Sequence, residues 1–82
     1  MTTQDWTIRL GNAVRSHRKA AGLTQQGLAR LAGVGKSVVY DIEKGKATVR
    51  LETLMRVLTT LNIDLLWRSP LTGRAEGEPK DA

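Results

Sequence analysis

The chain has 82 residues, a formal net charge of +5 and no cysteine. At this length one small domain is expected, and neither disulfide bonds nor thiolate metal sites can stabilise it. No apolar run is long enough for a membrane span or a signal peptide, so we expect a cytoplasmic protein without a membrane partner.

The positive charge is concentrated in the first 68 residues. They hold eleven Lys and Arg against five Asp and Glu, whereas residues 69–82 hold two against three. A basic domain can bind nucleic acid, an anionic membrane surface or an acidic protein, and charge alone does not choose among them. The chain has three aromatic residues, too few for the base-stacking surface of a protein that binds single-stranded nucleic acid. Binding to duplex nucleic acid remains possible.

Catalytic chemistry finds little support in the composition. The chain has one histidine, His17, and no convergent pair of acids on a plausible cleft. No nucleophile with a base and no metal-ligand cluster can be assembled from these residues. We therefore expect no enzymatic activity and no cofactor.

The first helix is predicted over residues 8–21, after a short N-terminal arm of residues 1–7. Thr7 is the expected N-cap, and Gly22 is the expected residue just past the C-terminal end. The inward side chains at helical spacing are Leu10, Val14 and Ala21, with His17 at their edge.

Residues 25–44 have the pattern of two short helices joined by a tight turn. Ala29 is small where a second helix would cross closely, and Gly33 stands where the chain must turn sharply. Thr24 and Gly35 are the expected N-caps of the two helices. The inward apolar residues are Leu28, Ala32, Val34, Val39 and Ile42.

The outer face of the third helix, predicted over residues 36–44, carries donors, acceptors and one aromatic edge. This mixture suits the reading of base edges in a major groove, and its members are Lys36, Ser37, Tyr40 and Asp41. The free N–H groups at the start of the second helix and a basic loop after the third suit phosphates, through Thr24, Gln25, Gln26, Lys44, Lys46, Thr48 and Arg50. Solvated surface charge is the competing interpretation of Lys36 and Lys46, and Tyr40 equally suits packing on the protein surface.

A fourth helix and a strand complete the predicted fold. The inward residues of this helix are Leu51, Leu54, Met55, Leu58 and Leu61, and Asn62 is its expected terminator. Residues 63–69 are predicted as a strand whose backbone pairs antiparallel with the same strand of a second subunit. The dimerisation residues would be Asp64, Leu65, Leu66, Trp67 and Arg68. Residues 70–82, rich in Gly, Pro and charge, are predicted to be disordered.

Residues 10–61 resemble the Xre/Cro/C1 helix-turn-helix family. The segment RKAAGLTQQGLARLAGVGKSVVYDIEKGK carries the resemblance, with GLTQ and IEKG as its most specific parts. The segment TVRLETLMRVLTTLNIDLLWR is similar to the HipB-like antitoxin branch. The resemblance implies an all-α, lambda-repressor-like helix-turn-helix bundle of four to five helices with a short C-terminal β-strand pairing across a dimer.

The resemblance also assigns roles to residues. Gln25 would contact phosphate, and a partly buried ion pair would join Arg18 to Glu43, with Ala29 and Gly33 as structural residues of the motif. The base-reading positions would be Gly35, Lys36, Ser37, Tyr40 and Asp41. Glycine at the cap of the third helix removes one side-chain contact that relatives make.

The implied function is a homodimeric, sequence-specific repressor that binds a palindromic operator in double-stranded DNA and is associated with the nucleoid. It would be the antitoxin of a HipA/HipB-like module, with a HipA-like kinase toxin as protein partner. Two alternatives stay open: a stand-alone Xre-type regulator of a phage or mobile element, and an antitoxin whose main role is to bind the kinase.

Overall fold

Four α-helices make up the fold in the computed structural model, which describes residues 2–67. They are α1 (Thr3–Ala20), α2 (Gln25–Ala32), α3 (Lys36–Glu43) and α4 (Leu51–Thr60). Within this part of the chain no β-strand is assigned, and the prediction of an all-α fold is confirmed. None of these helices is long and apolar enough to cross a membrane.

The core is small and is built where α2 and α3 meet α1 and α4. Leu28 of α2 and Val39 of α3 are fully buried, as the pattern of inward residues predicts. Ala32 and Val34 are partly buried at the edge of the same cluster. The buried apolar residues are Val14, Leu28, Ala29, Val39, Ile42, Val57 and Leu58.

The first helix begins at Thr3, so the predicted arm and the predicted start at residue 8 are wrong. Thr2 is the N-cap, because its hydroxyl accepts from the backbone N–H of Asp5 at 3.1 Å. The carboxylate of Asp5 accepts in turn from the N–H of Thr2 at 3.3 Å, which completes a capping box. This reciprocal pair stabilises an earlier start than Thr7, which lies inside the helix.

The face that α1 presents to α3 also differs from the predicted one. Gly11, Val14 and Arg18 are its buried residues, whereas Ala21 and His17, which were expected at or near the core, are exposed. At Gly11 the two helices approach closely, because a Cβ atom there would overlap the carbonyl oxygen of Ile42. The inward stripe therefore includes a glycine and an arginine, which a search for apolar residues passes over.

The turn between α2 and α3 has the predicted geometry. Ala29 is 3% exposed and belongs to the core cluster. Gly33 ends α2 in the left-handed conformation, with φ of 72°. The N–H of Val34 then donates to the carbonyl of Ala29 at 3.0 Å, which closes the turn.

The predicted inward face of α4 is rotated from the observed one. Leu51 is 67% exposed and Met55 is 38% exposed, although both were expected in the core. At about 100° per residue, they lie about 70° and 110° from the centre of the observed inward face. Apolar side chains cover more of α4 than its neighbours can bury, and the inward residues are Leu54, Val57, Leu58 and Leu61.

The chain after α4 turns at Asn62, whose φ is 59°, as predicted for a helix terminator. Residues 63–67 have no regular secondary structure, and Ile63 and Leu65 pack against the core. The predicted strand over residues 63–69 needs a second copy of the chain for pairing, so a single chain does not test it. Arg68 and the predicted disordered residues 70–82 lie outside the described residues.

Candidate nucleic-acid interface

A buried ion pair ties the C-terminal end of α3 to α1. Nε of Arg18 donates to Oε2 of Glu43 at 2.6 Å, and Nη2 donates to Oε1 at 3.1 Å. A third donation, from Nη1 of Arg18 to the carbonyl of Leu23 at 2.9 Å, fixes the loop before α2. The side chains of Arg18 and Glu43 are 11% and 4% exposed. This is the pair that the sequence resemblance implied.

Both ionisable groups of the pair are held in their charged forms. Burial by itself raises the pKa of the Glu43 carboxyl, but hydrogen bonds from Arg18 and Gln25 and the charges of Arg18 and Arg15 outweigh it, so the pKa lies below its ordinary value. The hydrogen bond to Glu43 raises the pKa of Arg18, against the opposing effect of burial.

The N-terminal end of α2 lies beside this pair. Nε2 of Gln25 donates to Oε1 of Glu43 at 3.1 Å, so its amide has a partner within the protein. The hydroxyl of Thr24 caps the helix by accepting from the N–H of Gly27 at 2.9 Å. Gln26 is exposed, and the N–H groups of Gln25 and Gln26 have no partner within the helix. Backbone donors, more than the predicted side chains, are what this end offers to a phosphate.

The outer face of α3 is open to solvent along its N-terminal half. Lys36, Ser37 and Tyr40 are exposed, and Gly35 precedes them as an exposed N-cap without a side-chain hydrogen bond. Asp41 lies at the edge of this face and is only partly exposed. The structure thus brings the five predicted base-reading residues onto one surface.

The loop after α3 begins with a tight turn and continues along that same surface. Nζ of Lys44 lies 5.6 Å from the centre of the Tyr40 ring, a cation–π distance. Lys46, Thr48 and Arg50 are exposed. A shallow groove separates this loop from α3, and its lining includes Val38, Asp41, Lys46, Thr48, Arg50 and Thr53.

The sequence analysis did not predict the role of two residues that support this surface, Gly11 and Thr7. Gly11 allows α3 to lie against the backbone of α1, and its signal was its place three residues before Val14 and seven before Arg18. The hydroxyl of Thr7 donates to the carbonyl of Gly45 at 2.6 Å and so holds the loop after α3 against α1. This long-range contact leaves no local signature in the sequence.

Comparison with known proteins finds sequence relatives, among them the following two. An uncharacterized HTH-type transcriptional regulator, y4mF, of Sinorhizobium fredii (strain NBRC 101917 / NGR234) is 42% identical over 59 residues, which are 70% of this chain and 78% of that protein. The ImmF control region 10 kDa protein of Bacillus phage phi105 is 32% identical over 57 residues, or 70% of this chain, and the match spans 63% of its length.

Solved structures of similar fold include the following two. The restriction-modification controller protein C.AhdI from Aeromonas hydrophila superposes with a TM-score of 0.62 at 35% identity, covering 70% of this chain and 86% of its own. The structure of a HipA-HipB-O2-O3 complex matches with a TM-score of 0.69, covering 78% of this chain and 90% of that chain. Its 23% identity makes this second likeness one of fold only.

A family model described as helix-turn-helix matches residues 14–68, which is more than half of the chain. The matched region contains all of α2, α3 and α4 and the buried Arg18–Glu43 pair. The chain therefore belongs to the helix-turn-helix family of DNA-binding transcriptional regulators.

Proposed function

We propose that this protein is a homodimeric repressor whose two α3 helices enter successive major grooves of a palindromic operator. The observation that carries the proposal is the division of α3 into two faces. Val39 and Ile42 fix the helix in the core, while Lys36, Ser37 and Tyr40 project from it into solvent. A short helix with one face packed and the other exposing donors near its N-terminal end suits major-groove reading.

Phosphate contacts would come from two segments next to α3. The first is the start of α2, where the helix dipole makes the backbone N–H groups favourable for an anion. The second is the loop after α3, with the exposed residues Lys44, Lys46, Thr48 and Arg50. Contacts of this kind set affinity and register, whereas the side chains of α3 would set the sequence that is read.

Selection of bound sequences from a random duplex pool tests this proposal most directly. A homodimer with one α3 per subunit should select a palindrome whose half-site centres are about 34–36 Å apart along the duplex. Recovery of sequences without a shared motif would contradict sequence-specific binding. A motif without two-fold symmetry would contradict the homodimer.

We expect Lys36→Ala and Ser37→Ala to weaken operator binding while leaving the protein folded. Both residues are exposed, so each change should alter the free energy of unfolding by at most about 0.5 kcal/mol. Loss of a base contact should cost about 1–3 kcal/mol of operator binding. Titration of operator and of random duplex, with a urea melt of each variant, measures both effects.

The matched control for charge is Arg9→Ala. Arg9 is exposed on the side of α1 away from Gly11 and hence from α3, so its loss should affect operator and random DNA little. If Lys36→Ala and Ser37→Ala weakened binding to operator and random duplex equally, these residues would be phosphate contacts and not base readers.

The proposed dimer uses the segment after α4. Leu66 and Trp67 are 44% and 58% exposed in the single chain, and pairing of residues 63–69 across a two-fold axis would cover them. We expect Leu66→Asp to raise the dimer dissociation constant at least about 10-fold, because a charge would be buried at the interface. Sedimentation equilibrium measures this change.

Leu31→Asp provides the comparison for the dimer test. Leu31 lies on α2 and is 66% exposed, so the same substitution is made at a similarly exposed leucine outside the proposed interface. If Leu31→Asp dissociated the dimer and Leu66→Asp did not, the interface would not lie on the segment after α4.

A second proposed role is that of an antitoxin, in which the same dimer binds a HipA-like kinase and represses its own operon. The support is the resemblance of the segment TVRLETLMRVLTTLNIDLLWR to the HipB-like branch. The test is whether the adjacent reading frame encodes a kinase-like protein that co-purifies with this chain. If no such frame exists, the stand-alone regulator of a phage or mobile element is the better assignment.

A further inference from the structure

Asp41 is an acidic residue on the proposed DNA-reading face, and it forms an ion pair with Lys46 of the neighbouring loop. Its Oδ2 atom lies 3.5 Å from Nζ of Lys46. We propose that this ion pair is a specificity device, in which a cytosine amino group takes the place of Lys46 at Asp41 and releases Lys46 to a phosphate. The proposal rests on the proposed function and adds to it a coupling between one base contact and one phosphate contact.

The pair is built into the end of α3. The N–H of Lys46 donates to the backbone carbonyl of Asp41 at 3.0 Å, and the N–H of Gly45 donates to that of Ile42 at 3.0 Å. These two bonds form the Schellman pattern, with Gly45 in the left-handed conformation at φ of 82°. Thr7 holds the carbonyl of Gly45 at 2.6 Å. The backbone of Lys46 is therefore fixed beside Asp41 before any DNA arrives.

The strength of the pair suits an exchange of partners. The Lys46 side chain is 54% exposed and that of Asp41 is 35% exposed, so water and salt weaken their attraction. An ammonium group held in this way can leave for a phosphate at small cost. Asp41 without a partner would be repelled by phosphates, so release of Lys46 is favourable only where the duplex supplies a donor to the carboxylate.

The chemistry of the major groove identifies that donor. Guanine presents the acceptors N7 and O6, thymine presents O4, and adenine places the acceptor N7 beside its amino group. Cytosine presents its N4 amino group without a neighbouring acceptor on the same base, and acidic side chains accept from it. Asp41 would therefore favour cytosine at one position of each half-site. On sequences without that cytosine, Lys46 would stay paired with Asp41 and would not contact a phosphate, so binding would be weaker.

The test compares the parent protein and Asp41→Asn in the same selection from random duplex, with salt titrations of both. Asparagine keeps the size of the side chain but cannot hold an ammonium ion, and it favours adenine. We expect one position per half-site to change from cytosine to adenine or to no preference. Affinity for random duplex should rise about 3- to 10-fold. The slope of log K against log salt, measured on random duplex, should steepen by about 0.9 per subunit because Lys46 becomes an additional phosphate contact.

Two further variants separate coupling from simple charge removal. In the Asp41→Asn background, Lys46→Gln should abolish the gain on random duplex, whereas Arg9→Gln, which removes a charge from the side of α1 away from α3, should leave most of it. A gain that persists without Lys46 would overturn the coupling. Circular dichroism melts of each variant test whether a loss of folding causes the change in affinity.

The outcomes also separate this inference from the function on which it rests. If the parent selects no palindrome, the proposed repressor function fails and this inference fails with it. If the parent selects a palindrome and Asp41→Asn selects the same sequence with the same salt slope, only the Asp41–Lys46 device is overturned.

Discussion

Glu43→Gln should lower the free energy of unfolding by about 3–5 kcal/mol, the range for breaking one side of a buried ion pair. Arg18 would keep its charge in a site where its side chain is 11% exposed. Its donations to Glu43 at 2.6 and 3.1 Å would meet a neutral amide in place of a carboxylate. Urea unfolding followed by circular dichroism measures the loss, and the slope of the unfolding curve shows whether the folded state stays compact.

Glu52→Gln is the matched control for this prediction. Glu52 also faces two arginines, Arg50 at 3.9 Å and Arg56 at 3.6 Å, but its side chain is 68% exposed. Exposed pairs of this kind contribute little, so we expect a change of at most about 0.5 kcal/mol. Equal losses for the two variants would contradict burial as the origin of the effect at position 43.

The same carboxylate should make stability depend on pH in the acid range. Because the pKa of Glu43 is lower in the folded state than its ordinary value of 4.5, folding favours the ionised form. The stabilisation is complete above that ordinary pKa and is lost as pH falls through the lower folded pKa. Unfolding of the parent should therefore become easier below about pH 4.5, and the curve of Glu43→Gln should be flatter there.

The elements that the sequence predicts well are those set by local chemistry. Thr24 and Gly35 cap α2 and α3 because capping depends on residues within one turn. Gly33 and Asn62 take positive φ at the ends of α2 and α4, where helices commonly end in this way. The start of α1 also has a local signal, the capping box of Thr2 and Asp5. Thr7 was predicted as the cap because it directly precedes the apolar residues of the helix.

The parts that the sequence does not predict depend on contacts between distant residues. Which side of α4 is buried is decided by how the helix seats on its neighbours, so Leu51 was wrongly included and Val57 was overlooked. Gln25 was expected to be available to phosphate, yet its amide donates to Glu43, eighteen residues further along the chain. The Asp41–Lys46 pair arises from the turn at the end of α3, which spacing by itself does not reveal.

The close approach of α1 and α3 should make Gly11→Ala one of the most damaging small substitutions in the protein. The added Cβ would overlap the carbonyl oxygen of Ile42 and lie 3.1 Å from that of Glu43. Both are backbone atoms at the end of α3 and cannot rotate away. Overpacking of about 3 kcal/mol, less about 1 kcal/mol gained in helix propensity, gives an expected net loss of about 2 kcal/mol in the free energy of unfolding.

Gly27→Ala separates this steric effect from the general preference of helices for alanine. Gly27 is also inside a helix, but a Cβ there would meet only the hydroxyl of Thr24 at 3.2 Å and a methyl of Leu23 at 3.7 Å. We expect this variant to be between neutral and about 1 kcal/mol more stable than the parent. If Gly11→Ala were equally well tolerated, α1 would not be packed against the backbone of α3. The position of α3, which the proposed reading of DNA requires, would then have to be set by the Arg18–Glu43 pair and the apolar core.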